Sequence, residues 1–383
     1  TLLASSAASD VYKRQDEIKA DFENLENKDV IIAGRIMTWR DMGKANFIDI
    51  QDRNGRIQAY VRMNDVGEET FAEFKTWDIG DIVEVKGFVF KTRTGEISVH
   101  AKQIRLLSKS LLPLPEKFHG LTDTDTRYRR RYLDMIMNPD VKDTFIKRSK
   151  IISSIRSYLD NLGFIEVETP ILNTIPGGAA ARPFITHHNT LDMDMYLRIA
   201  TELYLKRLIV GGMERVYEIG RNFRNEGMDK NHNPEFTCME LYVQYKDYNW
   251  MMSFTEKLLE RICIAVNGCT ETEIDGKSIS FKAPYRRLPI LEAIKEKTGY
   301  DLEGKSEDEI RQVCKELNME IDDTMGKGKL IDEIFGEFCE GTYIQPTFIT
   351  DYPKEMSPLT KIHRSNPDLT ERFELMVLSL IHI

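Results

Sequence analysis

One stretch of the sequence, residues 215–242, concentrates side chains that could bind a nucleotide together with a cationic substrate. It reads RVYEIGRNFRNEGMDKNHNPEFTCMELY and carries arginines, carboxylates, a histidine and aromatic rings. A guanidinium can hold phosphate oxygens with paired hydrogen bonds and stabilise the charge that grows in a transition state. An aromatic ring can stack on a base, and a carboxylate beside a tyrosine can hold an ammonium group. The stretch therefore predicts nucleotide chemistry, while an amphipathic hairpin with a charged outer face is the competing interpretation.

Two strands and a loop are expected to position these side chains. Alternating polar and apolar residues predict a strand over 215–224 and a returning strand over 235–242, joined by the polar loop 225–234. One surface should collect the candidates, which are Glu218, Asn222, Arg224, Phe236, Cys238, Glu240 and Tyr242. Upstream, apolar periodicity predicts helices over 145–162 and 201–210, the second with Thr201 as its cap.

The N-terminal part of the chain reads as short strands separated by turn signals. Strands are predicted over 30–39, 44–51, 57–63, 82–91 and 96–101, with a helix over 66–76. Asn54-Gly55 is a strong hairpin signal between the second and third strands. Five strands with one helix in the middle predict a closed barrel of the OB type. Residues 28–110 hold 14 Lys and Arg against 12 Asp and Glu, so this part is mildly basic.

The composition is typical of a globular protein of about two domains. The chain has 383 residues, 41% of them hydrophobic and 30% charged, and no apolar run reaches the roughly 18 residues of a membrane helix. A net charge of −9 disfavours a generic basic nucleic-acid binder. Five scattered cysteines without C-x-x-C spacing indicate a reducing compartment, predicted to be the cytoplasm. A metal site at His187-His188 is disfavoured, because neighbouring strand residues point to opposite faces.

Several blocks, in order, resemble the lysyl branch of the class II aminoacyl-tRNA synthetases. Within 215–242, RNFRNEG and HNPEFT resemble motif 2 of that family, and GFIEVETP at 163–170 resembles motif 1. Between them lie IPGGAAARPF at 175–184 and YLRIATELYLKRL at 196–208. The resemblance covers about residues 16–377. It implies an enzyme that activates L-lysine with ATP as lysyl-adenylate and transfers it to tRNA(Lys).

The resemblance also implies roles for individual residues. Arg224 would bind the α-phosphate and stabilise the transition state as the carboxylate of lysine attacks. The ATP site would be completed by Glu226, His232 and Phe236, the last stacking on adenine. Lysine would be held by Gly178, Glu202, Glu240 and Tyr242, with Glu240 and Tyr242 at the ε-ammonium. In the barrel, tRNA anticodon bases would meet Arg35, Phe47, Gln58 and Glu96.

Plain structural interpretations compete with these roles. Glu202 could simply favour the N-terminal end of its helix, and His232 could be a solvated loop residue. Cys238 is expected to be a small packed residue. A phenylalanine in a strand is most often part of the core, which applies to Phe47.

The expected fold class is α+β, an N-terminal OB-fold barrel followed by a class II synthetase catalytic domain with an antiparallel sheet. The expected boundaries are an unmatched head at 1–15, the barrel at 16–110, a linker at 111–139, the catalytic domain at 140–377 and an unmatched tail at 378–383. No glycine-rich segment like motif 3 follows Val377. The catalytic domain is therefore expected to be incomplete and nearly inactive. Mg²⁺ is an implied cofactor whose acidic ligands would lie beyond this chain, and the motif 1 region implies a homodimer.

Three other functions remain open at this point. A paralogue that lysylates proteins is disfavoured, because such relatives typically lack the barrel. A non-catalytic binder of tRNA or single strands would not need Arg224, Glu226 and Glu240. Aspartyl or asparaginyl specificity fits poorly, because Glu240 suits a cationic substrate side chain.

Overall fold

The computed structural model describes residues 13–115, 121–229 and 232–378. The chain divides into two compact units, with the boundary between Asp143 and Thr144. The first unit contains a β-barrel and the second contains mixed sheets with helices, so the predicted α+β class is confirmed. Most of the predicted head and tail, residues 1–12 and 379–383, lies outside the described residues.

Five strands form the barrel of the first unit. They are β1 Asp29–Asp41, β2 Ala45–Gln51, β3 Arg56–Arg62, β4 Ile82–Lys91 and β5 Ile97–Ser108. They are hydrogen-bonded in the order β1-β2-β3-β5-β4, and β1 also pairs with β4, which closes the barrel. Along β2, Asn46, Ile48 and Ile50 are buried while the residues between them face outward. The predicted five-stranded barrel is therefore confirmed.

Short helices cover and follow the barrel. They are α1 Gln15–Ala20, α2 Phe22–Leu25, α3 Met63–Val66, α4 Glu68–Phe74, α5 Thr124–Arg129 and α6 Arg131–Met137. The helix predicted over 66–76 is observed as α4, and Gly67, with a φ of 89°, separates it from the short helix α3, which was not predicted. Phe71 and Phe74 of α4 pack into the barrel core. The helices α5 and α6 lie inside the segment predicted as a linker, whose role as a linker stays a prediction.

The second unit is richer in helices and begins within a long one. Its helices are α7 Pro139–Asn161, which spans the boundary, α8 Glu202–Val210, α9 Tyr248–Asn267, α10 Ile290–Thr298, α11 Glu307–Glu316 and α12 Lys327–Phe338. Its strands are β6 Ile165–Glu166, β7 Leu172–Asn173, β8 Ile185–His188, β9 Met193–Leu197, β10 Arg215–Phe223, β11 Glu235–Val243, β12 Glu271–Ile274, β13 Lys277–Ser280, β14 Arg286–Pro289, β15 Thr347–Thr350 and β16 Phe373–Met376. Single 3₁₀ turns occur at Glu340–Thr342 and Lys354–Met356.

The sheets of this unit are mainly antiparallel, as expected, and two of them also contain one parallel pair each. One sheet has the order β11-β10-β6 and another the order β14-β15-β16. The pairs β10–β6 and β14–β15 are parallel, whereas β10–β11 and β15–β16 are antiparallel. A parallel pair needs a long crossover connection, and the chain provides one in each case: residues 167–214, and a segment containing α10, α11 and α12.

The hairpin β10–β11 is held by a hydrophobic cluster on one of its faces. Tyr217 of β10 packs with Leu159 of α7 and with Phe254 and Leu258 of α9. Partly buried side chains of the same face join the cluster, among them Ile219, Met239, Leu241 and Val243. The opposite face of the hairpin is therefore available for polar side chains. Within the described ranges, no helix is both long enough and apolar enough to cross a bilayer.

Candidate active site and nucleic-acid surface

The register of β10 and β11 brings the polar candidates of both strands onto one face. Glu218 lies opposite Glu240, Gly220 opposite Cys238, Asn222 opposite Phe236, and Val216 opposite Tyr242. These even-numbered positions alternate with the odd-numbered residues that enter the hydrophobic cluster. The predicted hairpin, with the candidate side chains of both strands on one face, is therefore observed, and their roles stay a prediction.

A buried ion pair lies at the centre of this surface. Arg198 Nη1 donates to Glu218 Oε1 at 2.5 Å, and the two residues are only 3% and 4% exposed. Glu218 Oε2 accepts hydrogen bonds from the Thr169 hydroxyl at 2.6 Å and the Thr169 N–H at 3.2 Å. Arg198 also donates to the backbone carbonyls of Arg221 at 2.8 Å and Thr169 at 3.1 Å. This network ties three separate segments of the second unit together.

Gly220 leaves room for the arginine of that network. A Cβ at this position would lie 2.2 Å from Arg198 Nη2 and 3.0 Å from Glu218 Oε1. Glu218 lies on the face predicted from the alternation of β10, whereas the partners Arg198 and Thr169 were not predicted. The available signal was weak: Arg198 follows Tyr196-Leu197 and precedes Ile199-Ala200, so a charge lies among apolar residues, and buried charges require partners.

The residues predicted to hold lysine lie close together. A Cβ on Gly178 would lie 3.5 Å from the Cβ of Glu202, so these two residues are neighbours. The hydroxyl of Tyr242 donates to Glu240 Oε2 at 3.3 Å. Burial, followed by the charges of Glu240 and Glu202, raises the pKa of Tyr242. The phenol therefore stays protonated between two carboxylates.

The two carboxylates of this pocket differ in their partners. Glu202 forms an ion pair with Lys206 one turn along α8. Across residues 13–115, 121–229 and 232–378, no Lys, Arg or His forms an ion pair with Glu240. Glu240 therefore presents a negative charge that a cationic ligand could neutralise.

Thr201 behaves differently from the prediction that it caps α8. Its side chain makes no capping hydrogen bond, and its backbone has φ −95° and ψ −10° rather than the extended conformation usual at an N-cap. Its backbone N–H instead donates to Glu240 Oε1 at 3.3 Å. The predicted cap is therefore wrong, and Thr201 belongs to the surroundings of Glu240.

Arg224 lies against Phe236 on the same surface. Its Cζ atom is 5.2 Å from the centroid of the Phe236 ring, which is a cation–π arrangement. Its Nε is buried and makes no hydrogen bond within the described part of the chain. Its backbone N–H donates to the carbonyl of Pro234 at 2.9 Å, which fixes the start of the loop. A guanidinium held in this way can donate hydrogen bonds to a phosphate oxygen.

The other two predicted ATP-site residues lie on the loop side of the hairpin. Glu226 Oε1 accepts a hydrogen bond from the N–H of Arg182 at 3.3 Å, and the Asn225 N–H donates to the carbonyl of Arg182 at 2.7 Å. His232 has a side chain that is 75% exposed and contacts Asp229 at 2.8 Å. The solvated-loop interpretation of His232 therefore stays open.

Other reactive side chains have structural explanations. Burial and the nearby charge of Glu240 raise the pKa of the Cys238 thiol, which fits a packed residue. His187 contacts Asp194 at 3.1 Å and Asp192 at 3.3 Å. In the part of the chain that the structure describes, no three His, Cys, Asp or Glu residues come close enough to share a metal ion.

The outer face of the barrel carries a pocket that contains three of the four predicted base-binding residues. Phe47, Gln58 and Glu96 all line it, and Glu96 contacts Lys19 of α1 at 3.4 Å. Phe47 lies on the outward side of β2, so the expectation that it is a core residue does not hold. The pocket is also lined by residues that the sequence analysis missed, among them Arg40, Arg56, Tyr60, Phe90 and Arg93.

Arg35 is not brought together with the other three. Its Nη1 donates to the carbonyl of Gly80 at 2.7 Å, and it does not line the pocket. An irregularity in the pairing of β1 with β2 between Ile36 and Thr38 shifts the register, and Arg40 lies opposite Phe47. Arg35 lies opposite Gln51, beyond the β2 residues that line the pocket, and its role in base binding stays a prediction.

Two family models match the chain. The family of tRNA synthetases class II (D, K and N) matches residues 123–380, and the OB-fold nucleic acid binding domain matches residues 30–107. The first match covers most of the second unit and the second covers the barrel strands.

Proteins similar to this chain are named lysine–tRNA ligases. That of Porphyromonas gingivalis W83 is 60% identical over 377 residues, which cover 94% of this chain and 65% of the relative. That of Christiangramia forsetii is 57% identical, with 94% and 65% covered. That of Clostridium novyi is 58% identical over 375 residues, with 95% of this chain and 73% of the relative covered. The chain thus spans slightly less than two thirds of the length of the Porphyromonas relative.

These matches confirm the resemblance to the lysyl branch that the sequence motifs indicate. They agree with a barrel followed by a mixed α+β unit whose β10–β11 hairpin carries the candidate site. The chain belongs to the class II tRNA synthetases (D, K and N), in the branch of the lysine–tRNA ligases.

Proposed function

We propose that this chain carries the lysine-binding and anticodon-binding parts of an enzyme that activates L-lysine with ATP and transfers it to tRNA(Lys). The observation that carries the proposal is Glu240, a carboxylate that receives a hydrogen bond from Tyr242 and has no cationic partner among the described residues. A pocket with this charge fits the ε-ammonium of lysine and disfavours an acidic or amide side chain.

The proposed chemistry needs no side-chain nucleophile. The carboxylate oxygen of lysine would attack the α-phosphorus of ATP, with pyrophosphate leaving, and a hydroxyl of the tRNA would then displace AMP from the adenylate. Arg224 would hold the α-phosphate and neutralise the charge that grows there, while Phe236 would stack on adenine. Such catalysis depends on positioning and electrostatics. Mg²⁺ stays a prediction from the family, and no step is assigned to it, because the described residues include no suitable cluster of ligands.

The barrel would bind the anticodon of tRNA(Lys). Phe47, Tyr60 and Phe90 supply aromatic rings in one pocket, and Gln58 and Glu96 supply polar groups for base edges. Aromatic stacking with nearby cations is the usual way in which OB folds bind single strands. The predicted cytoplasmic location follows from the same proposal, because tRNA(Lys) and ATP are found there.

A homodimer through the motif 1 region is part of the proposal. Large apolar side chains in or directly after this region are exposed in the single chain, at 51% for Ile165, 43% for Ile171 and 44% for Leu172. Exposed apolar side chains are expected where a second copy would cover them.

Calorimetric titration with L-lysine and with ATP tests the specificity of the site. We expect Glu240→Gln to weaken lysine binding by roughly 10-fold to 100-fold, because hydrogen bonds to charged groups contribute about 1.5–3 kcal/mol. ATP binding should change by less than about twofold. Glu235→Gln is a matched control, since Glu235 begins the same strand and its side chain is exposed. Equal losses of lysine and ATP binding in Glu240→Gln would contradict the assigned role.

Lysine-dependent ATP–pyrophosphate exchange tests the activity. We would measure it on this chain and on a version extended to the full length of the relatives. Exchange in the extended protein would support the proposal. A folded extended protein without exchange would favour the non-catalytic tRNA-binding alternative.

A further inference from the structure

A row of aromatic side chains crosses four strands of the barrel and continues beyond the pocket that is proposed to bind anticodon bases. Phe47 lies opposite Tyr60, Tyr60 opposite His100, and His100 opposite Phe88. The distances between successive ring centroids are 4.8, 5.0 and 4.8 Å. Phe47 and Tyr60 line the pocket, whereas His100 and Phe88 do not. His100 is therefore the first ring of the row behind the pocket.

His100 contacts two of the rings that line the pocket. Its imidazole is perpendicular to the ring of Tyr60, at an interplanar angle of 90°. The centroid of the Phe90 ring lies 5.7 Å from that of the imidazole, with the two planes at 58°. Edge-to-face contacts are a favoured geometry of aromatic pairs. The contact with His100 therefore restricts the tilt of the tyrosine ring.

The orientation of His100 is itself fixed from outside the pocket. Its Nε2 atom lies 2.8 Å from Oδ2 of Asp65, a residue of α3. The ring of Phe88 stacks on the imidazole at an interplanar angle of 23°. The side chains of His100 and Asp65 are 21% and 28% exposed, so both are largely shielded from water. A hydrogen bond of normal length at one edge and a stacked ring on one face leave the imidazole little freedom to turn.

We infer that His100 is a positioning residue for RNA binding, which holds the ring of Tyr60 in the orientation that stacks on an anticodon base. The inference rests on the proposed function and adds to it a residue that lies outside the pocket. A ring that is already held loses less conformational freedom when a base stacks on it, so more of the stacking energy is expressed as affinity. His100 acts through Tyr60 and not by contact with the RNA.

Fluorescence anisotropy measures the binding of a stem-loop RNA that carries the lysine anticodon to the full chain. We expect His100→Ala to weaken this binding roughly threefold to tenfold, in line with the contribution of one aromatic pair. His100→Phe keeps a ring against Tyr60 but carries no charge, and its affinity should stay within about twofold of that of the unsubstituted chain. Phe88→Ala is a control on the other face of His100. Because Asp65 still holds the imidazole in this variant, its affinity should also stay within about twofold.

A second substitution, at Tyr60, separates positioning from direct contact with the RNA. In a Tyr60→Ala background, His100→Ala should change the affinity by less than about twofold, because the ring that His100 positions is gone. An equal loss in both backgrounds would show that His100 contacts the RNA itself or acts through its charge, and the inference would be overturned.

The remaining outcomes also decide the matter. Unchanged binding in His100→Ala, or an equal loss in His100→Ala and His100→Phe, would contradict the inference. So would an equal loss in Phe88→Ala, because the effect would then belong to the whole row of rings. If alanine at position 100 unfolds the barrel, His100→Gln, which fills the space without a ring, carries the same expectation. If the unsubstituted chain does not bind the RNA, or if Phe47→Ala leaves binding unchanged, the proposed anticodon site fails, and the inference fails with it.

Discussion

The buried pair of Arg198 and Glu218 allows a quantitative prediction for Glu218→Gln. Glu218 receives hydrogen bonds on both oxygens, from Arg198 on one and from Thr169 on the other. A glutamine has only one oxygen, so its NH₂ group would face a donor whichever way it is turned. Removing one charge of a buried pair costs about 3–5 kcal/mol. Arg198 keeps the carbonyls of Thr169 and Arg221 as acceptors, so we expect a loss of stability at the lower end of this range, about 3 kcal/mol. This corresponds to roughly a hundredfold change in the unfolding equilibrium constant.

Hydrogen exchange of the β10 amides in urea measures this effect in the second unit alone. The chain supplies a matched control in Arg286 and Glu296, which contact each other at the same 2.5 Å but are 51% and 45% exposed. Glu296→Gln should change the free energy of unfolding by less than about 1 kcal/mol, since exposed ion pairs contribute little. If Glu218→Gln costs no more than Glu296→Gln, burial does not determine the strength of the central pair, and the reasoning is refuted.

Two further predictions concern other parts of the molecule. The hydrogen bond from Arg364 holds the pKa of buried Glu371 below its ordinary value of 4.5, so the stability that Glu371 contributes is complete above about pH 4.5 and is lost as the pH falls through the lower folded-state pKa. Urea midpoints measured between about pH 7 and 3 should therefore fall less steeply with pH in Glu371→Gln than in the unsubstituted chain, and identical slopes would contradict this. In the barrel, Phe47→Ala should weaken the binding of an anticodon stem-loop RNA by roughly fivefold to a hundredfold, as measured by fluorescence anisotropy. Phe88→Ala, on the same barrel but outside the pocket, should have little effect, and equal losses in both variants would mean that the pocket is not the binding site.

Local patterns predicted the elements of this protein well. Alternation along β2 and along β10–β11 gave the correct faces, because side-chain direction in a strand follows a period of two. Turn residues such as Asn54-Gly55 gave the barrel hairpin between β2 and β3, because they tolerate the backbone angles that a tight turn requires.

What the sequence could not predict depends on contacts between distant residues. The irregularity near Ile36, which shifts the register so that Arg40 lies opposite Phe47, is a feature of strand pairing, and no single residue marks it. The partnership of Arg198 with Glu218 joins residues 20 positions apart through the fold. Threonine commonly caps helices, but the N–H of Thr201 donates to Glu240, a residue 39 positions away in the sequence. Such features are found only when the segments are packed together.

The contact between Arg224 and Phe236 also affects what it costs to bind a phosphate. A free arginine side chain loses up to about 2 kcal/mol of conformational entropy when a ligand fixes it. Here the ring already restricts the guanidinium, and within the described residues no carboxylate has to be displaced from it. In the proposed site, the entropy cost of fixing the arginine is then smaller, so the interaction between the arginine and the nucleotide contributes more to the binding free energy.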